Sequence, residues 1–190
     1  KGSTSLGWEG YDVPLKEGNW PLLAPSAIPW SPQNQVPSEI TRSQMDEVRE
    51  AFVQAAQRAD RAGFDWLELH CAHGYLMDTF LSPHVNKRTD KYGGSLENRM
   101  RFPLEVFKAV REVTPANVCL GLRISGTDWV EGGWTAEDSI VFGRAIKALG
   151  CDFIDVSSGG VSPKQQITLG PKYQVPLATQ IKKGTGLPTM

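Results

Sequence analysis

The chain has 190 residues, 40% hydrophobic and 22% charged, a balance that supplies a sizeable core and excludes a disordered class. Lys and Arg number 20 against 21 Asp and Glu, a formal net charge of -1, so there is no global basic field to hold nucleic acid or an anionic membrane surface. No apolar run reaches the roughly 20 residues of a membrane helix, and Lys1-Gly2-Ser3-Thr4-Ser5 has no apolar signal core. Neither nucleic acid nor membrane is therefore expected as a partner. Cys71, Cys119 and Cys151 are odd in number and each abuts an apolar segment, which predicts reduced core thiols and a cytoplasmic setting. Because the chain opens on Lys1 and stops at Leu187-Pro188-Thr189-Met190 as a new apolar run begins, it reads as an internal fragment.

Residues 1–40 carry Trp8, Trp20 and Trp30 among many Pro and Gly with no sustained period. This predicts a loop longer than ordinary connections, a lid over a site or the remnant of something removed. From 41 onward, βα units are expected in succession. Met45, Val48, Phe52, Ala55, Ala56 and Ala59 recur at helical spacing behind a Ser43/Asp46 start signal, and Gly63 closes the helix. Phe64 to His70 alternates as a strand does. A second helix is predicted over Leu96 to Val113 and a strand over Val118 to Ile124. Thr135 and Asp138 open a third helix ended by Gly150, Phe153 to Val156 forms a strand, and a fourth helix runs from about Val175 to Lys183 before a strand at Leu187.

Such alternation at short spacing predicts an α/β fold with parallel strands. A doubly wound dinucleotide fold needs G-x-G-x-x-G between a strand and a helix, and no strand here is followed by it. Polar residues instead follow the strand ends: His70 and His73, then Arg123 and Ser125, then Ser157 and Ser158. In a (β/α)8 barrel those ends surround one mouth.

The densest cluster is His70-Cys71-Ala72-His73-Gly74-Tyr75. Two imidazoles three residues apart at a strand end can aim N–H groups at one carbonyl oxygen and stabilise charge developing there. Their bland role is to cap the strand and satisfy loop carbonyls. A metal site with Cys71 and His84 is the rival, weakened by the lack of H-E-x-x-H, of C-x-x-C and of a carboxylate in the cluster; no metal is expected. Tyr75 is a proton donor for a carbon beside that carbonyl, or a packed aromatic. Arg123, ending an apolar strand, offsets an anionic cofactor or substrate, or pairs with a framework carboxylate. The stretch from Ser82 to Arg99 is dense in groups that bond backbone, with a turn at Gly93-Gly94 and a helix cap at Ser95.

These segments together resemble the old yellow enzyme family of FMN-dependent NAD(P)H:flavin oxidoreductases. The resemblance runs from Leu23-Ala24-Pro25-Ser26 through His70-Cys71-Ala72-His73-Gly74-Tyr75-Leu76, Phe80-Leu81-Ser82-Pro83, Asn86-Lys87-Arg88-Thr89-Asp90 and Tyr92-Gly93-Gly94-Ser95-Leu96-Glu97-Asn98-Arg99. It continues in Leu122-Arg123-Ile124-Ser125 and Asp155-Val156-Ser157-Ser158-Gly159. It implies a (β/α)8 TIM barrel binding FMN at its mouth, of which this chain would be a partial domain covering roughly strands 4 to 7. The H-x-x-H form is similar to the bacterial ene-reductase branch and to relatives acting on CoA thioesters. By that likeness His70 and His73 bond the substrate oxygen, Tyr75 is the donor tyrosine of the pocket, Arg123 contacts the flavin near N1 and O2, and Asn98 and Arg99 are architectural.

The expected function is reduction of the activated C=C bond of an α,β-unsaturated carbonyl compound, with NAD(P)H as reductant and FMN as carrier. A small-molecule enone is the partner, and homo-oligomerisation is left open. The alternatives are a flavin domain serving a CoA-thioester pathway, a His-based metal hydrolase, or a noncatalytic half barrel. The family's remaining FMN-contacting segments, including its phosphate-binding Gly-Arg, are not in this sequence, so residues 1–190 alone are expected to be inactive.

Overall fold

The computed structural model describes residues 14, 15 and 17–190; Trp8, assigned above to the leading loop, lies outside them. Ten elements follow in order: β1 (Leu23–Ala24), β2 (Ser38–Glu39), α1 (Arg42–Arg61), β3 (Trp66–Cys71), α2 (Leu76–Leu81), α3 (Leu96–Val113), β4 (Cys119–Ser125), α4 (Ala136–Ala148), β5 (Phe153–Ser157) and α5 (Val175–Thr185). No described helix is long and apolar enough to cross a membrane.

Most elements begin and end where local chemistry dictates. Helix α1 starts two residues before the predicted signal: Thr41 is the cap, with its hydroxyl bonded to the Gln44 N–H and the Gln44 side chain returning to the Thr41 N–H. Thr-x-x-Gln is as good a capping box as Ser43 with Asp46, and its residues leave Met45 facing the core. Ala55, placed on the apolar face by its spacing, is exposed. Ser95 caps α3 and Thr135 caps α4 by the expected hydroxyl-to-N–H bonds, each satisfying a donor that the first helical turn leaves without a partner.

Strands β3, β4 and β5 form one parallel sheet in that order. Beyond β5, Ile154 bridges Thr189 in parallel, opening the next strand where Leu187 was expected to do so. With α3 and α4 as the connections, this is the βα repeat predicted above.

Side chains alternate across the sheet. Leu69, Cys71, Leu120, Leu122, Ile124, Ile154 and Val156 are buried with Phe102, Val106 and Phe107 of α3, Phe142 and Ile146 of α4, and Ile181 of α5. The opposite face carries Trp66, Glu68 and His70 of β3, Arg123 of β4 and Asp155 of β5. One layer of that face is aromatic: the Trp66 and Phe153 rings stack at 4.1 Å between centroids. The space Phe153 uses is vacant because residue 121 is glycine, where a Cβ would fall 2.3 Å from the Phe153 ring.

The described part of the leading segment, read as wholly structureless, contains β1 and β2, two-residue strands paired in parallel. They are too short for a period-2 pattern to register. Helix α2, also unforeseen, is about one and a half turns long and starts directly after the His-Tyr motif, with Tyr75 as its N-cap residue. The polar stretch that follows is architectural in its bonds. Asn86 donates to the Phe80 and Tyr92 carbonyls, Arg99 to those of Leu81 and Gly94, and Arg88 to those of Pro25 and Ile40 while pairing with Asp90. Carbonyls at the end of α2, in the leading segment and in the polar stretch itself are thereby satisfied.

Candidate active site

Strand register assembles the site. In the sheet His70 lies opposite Arg123, and Arg123 opposite Asp155, so these three side chains form a row on one face near the strand C-terminal ends. From His70 the chain turns through Cys71 and Ala72 into His73, whose φ of 60° is left-handed, a conformation that His tolerates better than most residues. Three bonds hold that turn. The His73 N–H donates to Ser125 Oγ at 2.9 Å, Ser125 Oγ donates to the Gly159 carbonyl at 2.8 Å, and the Gly74 N–H donates to the buried Asp78 carboxylate at 2.7 Å. Loops following three strands are thus tied together at one point.

The turn brings three rings into one cluster. The His70 centroid is 5.3 Å from that of His73 and 5.2 Å from that of Tyr75, the latter edge to face. Tyr75 is half exposed. His73 Nε2 lies 2.6 Å from Ser157 Oγ, and the Gln174 amide reaches Ser157 Oγ at 3.2 Å and Ser158 Oγ at 3.1 Å. From the leading segment, the Trp30 indole donates to the Gly160 carbonyl at 3.1 Å. Gly160 has φ 99° and packs so closely that a Cβ there would lie 2.5 Å from His73 Cα; only glycine fits.

Electrostatics distinguish the members of the row. Burial and the Arg123 charge push the His70 imidazole below its ordinary value, with Asp155 pulling the other way, so the neutral ring is favoured at physiological pH. Burial, reinforced by Asp155 and opposed by Arg123, raises the Glu68 carboxyl. The Arg123 side chain is 40% exposed, with Nε 3.2 Å from Asp155 Oδ2. That Nε is itself buried and out of line for a hydrogen bond.

Among the described residues, no three His, Cys, Asp or Glu side chains gather as a metal-ligand group. His84 lines a different cleft with Trp129, Lys164 and Gln166, and the buried Cys71 thiol is pushed well up by desolvation. The sequence therefore singled out His70, His73, Tyr75 and Arg123, and the fold places all four on one mouth. It assigned no role in the site to Asp155, Gln174, Asp78 or Trp30. The partners of Asp155, Gln174 and Trp30 are distant in sequence and carry no local signal. Asp78, which bonds the Gly74 N–H only four residues back, lies in a helix too short to be read from its period.

A model described as the NADH:flavin oxidoreductase / NADH oxidase family matches residues 17–169. The chain belongs to this family. It is 44% identical over 190 residues to an NADH:flavin oxidoreductase of Gibberella zeae, covering 92% of this chain and 46% of that protein. With an NADPH dehydrogenase of Geobacillus thermodenitrificans it shares 45% identity over 168 residues, 88% of this chain and 48% of that one. A solved structure of 2-naphthoyl-CoA reductase with 2-naphthoyl-CoA superposes with a TM-score of 0.80 at 34% identity, over 89% of this chain and 26% of that one. The chain spans about half the length of the two curated relatives, and its parallel sheet is part of a (β/α)8 barrel.

The flavin of this family is FMN, and the residues present fit it. Among the described residues the Arg123 guanidinium makes no hydrogen bond and has one carboxylate beside it. A fixed cation with unused donors suits the edge of an isoalloxazine ring where negative charge collects on reduction.

Proposed function

We propose that the protein of which this chain is part is an FMN-dependent oxidoreductase that uses NAD(P)H to reduce the activated C=C bond of an α,β-unsaturated carbonyl compound. One observation carries this reading: His70, His73 and Tyr75 form a single ring cluster at the end of β3, and His70 stands in one row with Arg123. When bound, FMN supplies the hydride carrier between the nicotinamide and the substrate.

The chain's residues perform the remaining tasks. His70 and His73 donate N–H groups to the carbonyl oxygen, on which charge grows as hydride reaches the β carbon; a donor so placed is typically worth about 3 to 4 kcal/mol. The bond between His73 and Ser157 and the left-handed backbone at His73 hold the second donor at a fixed angle to the first. The Tyr75 hydroxyl delivers a proton to the α carbon, completing addition of H2 across the bond. Arg123 holds the flavin edge.

The decisive experiment is to purify the full-length protein and mix it with NADPH and 2-cyclohexenone. A flavin absorption spectrum and enone-dependent NADPH oxidation are expected. A colourless protein, or a flavoprotein inert toward enones, overturns the reading. The likeness to 2-naphthoyl-CoA reductase supports a second reading in which the carbonyl belongs to a CoA thioester, tested in the same assay with an unsaturated acyl-CoA. The buried free thiols, with Cys151 pushed up to about 12 by desolvation, support a cytoplasmic setting, where such thiols stay reduced.

A further inference from the structure

Asp155 is the one carboxylate in ion-pair contact with Arg123 among the described residues, and the proposed chemistry leaves it without a role. It stands on β5 directly opposite Arg123 on β4, which itself stands opposite His70 on β3. Opposed residues of neighbouring strands are about 4.8 Å apart and project to the same face, so the contact is built into the sheet and needs no flexible loop. Its closest approach is 3.2 Å, from Nε to Asp155 Oδ2. Glu68, two residues before His70 on the same face, occupies the layer beneath.

We propose that Asp155 is a positioning residue that fixes the Arg123 guanidinium at the barrel mouth and offsets part of its charge, thereby lowering the reduction potential of the flavin held there. The proposal rests on the flavin reading above. A lone guanidinium beside the ring stabilises the anionic reduced form through the field of a full charge. With a carboxylate 3.2 Å from it, the ring would meet the field of a cation and an anion together, which is weaker and falls off faster. Less stabilisation of the reduced form means a flavin that gives up hydride more readily to a poor acceptor. The same three residues are coupled in a second way, since His70 is pushed down by Arg123 and up by Asp155.

Glu68 is the competing source of offsetting charge. It makes no ion pair with Arg123 among the described residues, whereas Asp155 approaches the guanidinium to 3.2 Å. Removing the Asp155 charge therefore exposes the cation more than removing that of Glu68.

The test is potentiometric titration of FMN bound to the full-length protein. Asp155→Asn keeps the shape and removes the charge. The expected result is a shift of the oxidised-to-reduced equilibrium toward reduced flavin by about tenfold, or about 30 mV for a two-electron couple. Arg123→Ala is expected to shift it the opposite way, and Glu68→Gln to shift it less than Asp155→Asn does. Asp155→Glu retains the charge and is expected to stay near the wild-type potential; a shift equal to that of Asn would show a packing effect and overturn the proposal. An unchanged potential in Asp155→Asn with FMN bound overturns it as well and leaves the flavin reading intact, whereas a wild-type protein without FMN overturns both. Should Asp155→Asn lose its flavin, NMR titration of His70 in the flavin-free full-length protein decides. A midpoint below that of wild type supports the coupling, and an unchanged midpoint overturns it.

Discussion

His73 Nε2 lies 2.6 Å from the hydroxyl of Ser157, a residue 84 positions further along the chain. Together with the bond from the His73 N–H to Ser125, this contact makes the ring's position a property of three strands. Replacing Ser157 by Ala removes this bond and the one from the Gln174 amide and should cost about 1 to 2 kcal/mol, since each such bond is worth about 1 kcal/mol, read as a lower denaturation midpoint. Affinity for a phenolic ligand should fall with it, by less than in His73→Ala, where the donor itself is gone.

Changing both His70 and His73 to Ala in the full-length protein should leave FMN in place and weaken phenolate binding by about tenfold or more per histidine. Hydrogen bonds to a charged partner are worth about 1.5 to 3 kcal/mol. Titration with p-hydroxybenzaldehyde, followed by flavin absorbance, measures this. Unchanged affinity would remove the histidines from the substrate site.

Gly160→Ala places a methyl group 2.5 Å from His73 Cα in a backbone of φ 99°. Strain and crowding together should cost about 2 to 4 kcal/mol. Because the displaced neighbour is His73, ligand affinity should fall even at temperatures where the variant is fully folded. Circular dichroism and the same titration separate the two effects.

Protonation of His70 should oppose folding. Its folded value lies below the ordinary imidazole value, because of burial first and the Arg123 charge second. Between that value and about 6.5 the unfolded chain binds more protons than the folded one. The contribution is therefore fully present above about pH 6.5 and is lost as the pH falls through the folded value. Solvent at this exposed ring keeps the effect small. An NMR titration of His70 should give a midpoint below that of a histidine in a short peptide.

Asp128 is fully buried, accepting the Trp134 N–H at 2.8 Å and the Ser82 hydroxyl at 2.5 Å. Asp128→Ala strands both donors and should cost about 3 kcal/mol. Burial already disfavours the charged carboxylate and raises its value, so Asp128→Asn should cost less than Ala at neutral pH. Urea denaturation of the two variants checks the order.

How much of this was legible depended on the range of the interaction. Helices announced themselves through caps at Ser95 and Thr135, and strands through apolar alternation, because both signals are local. The His70, His73 and Tyr75 cluster was legible because a single turn contains it. Asp155 read as a strand residue in a segment resembling the family, with no sign of Arg123, since the relation between the two exists only once the register of two strands is known. Gln174 was silent, and Trp30 was noticed without its Gly160 partner, because those contacts too join separate segments. Strands β1 and β2 escaped because two residues cannot display a period.

The bonds that finish the site join residues far apart in the chain: Trp30 to Gly160 across 130 positions and His73 to Ser157 across 84. Closing such long loops must precede any reward from the contact. Helices α1, α3 and α4, with their local caps, can form early, whereas the mouth acquires its geometry only when the sheet is complete. Newly made chain should therefore gain most of its helical circular dichroism before it gains any ability to hold a ligand.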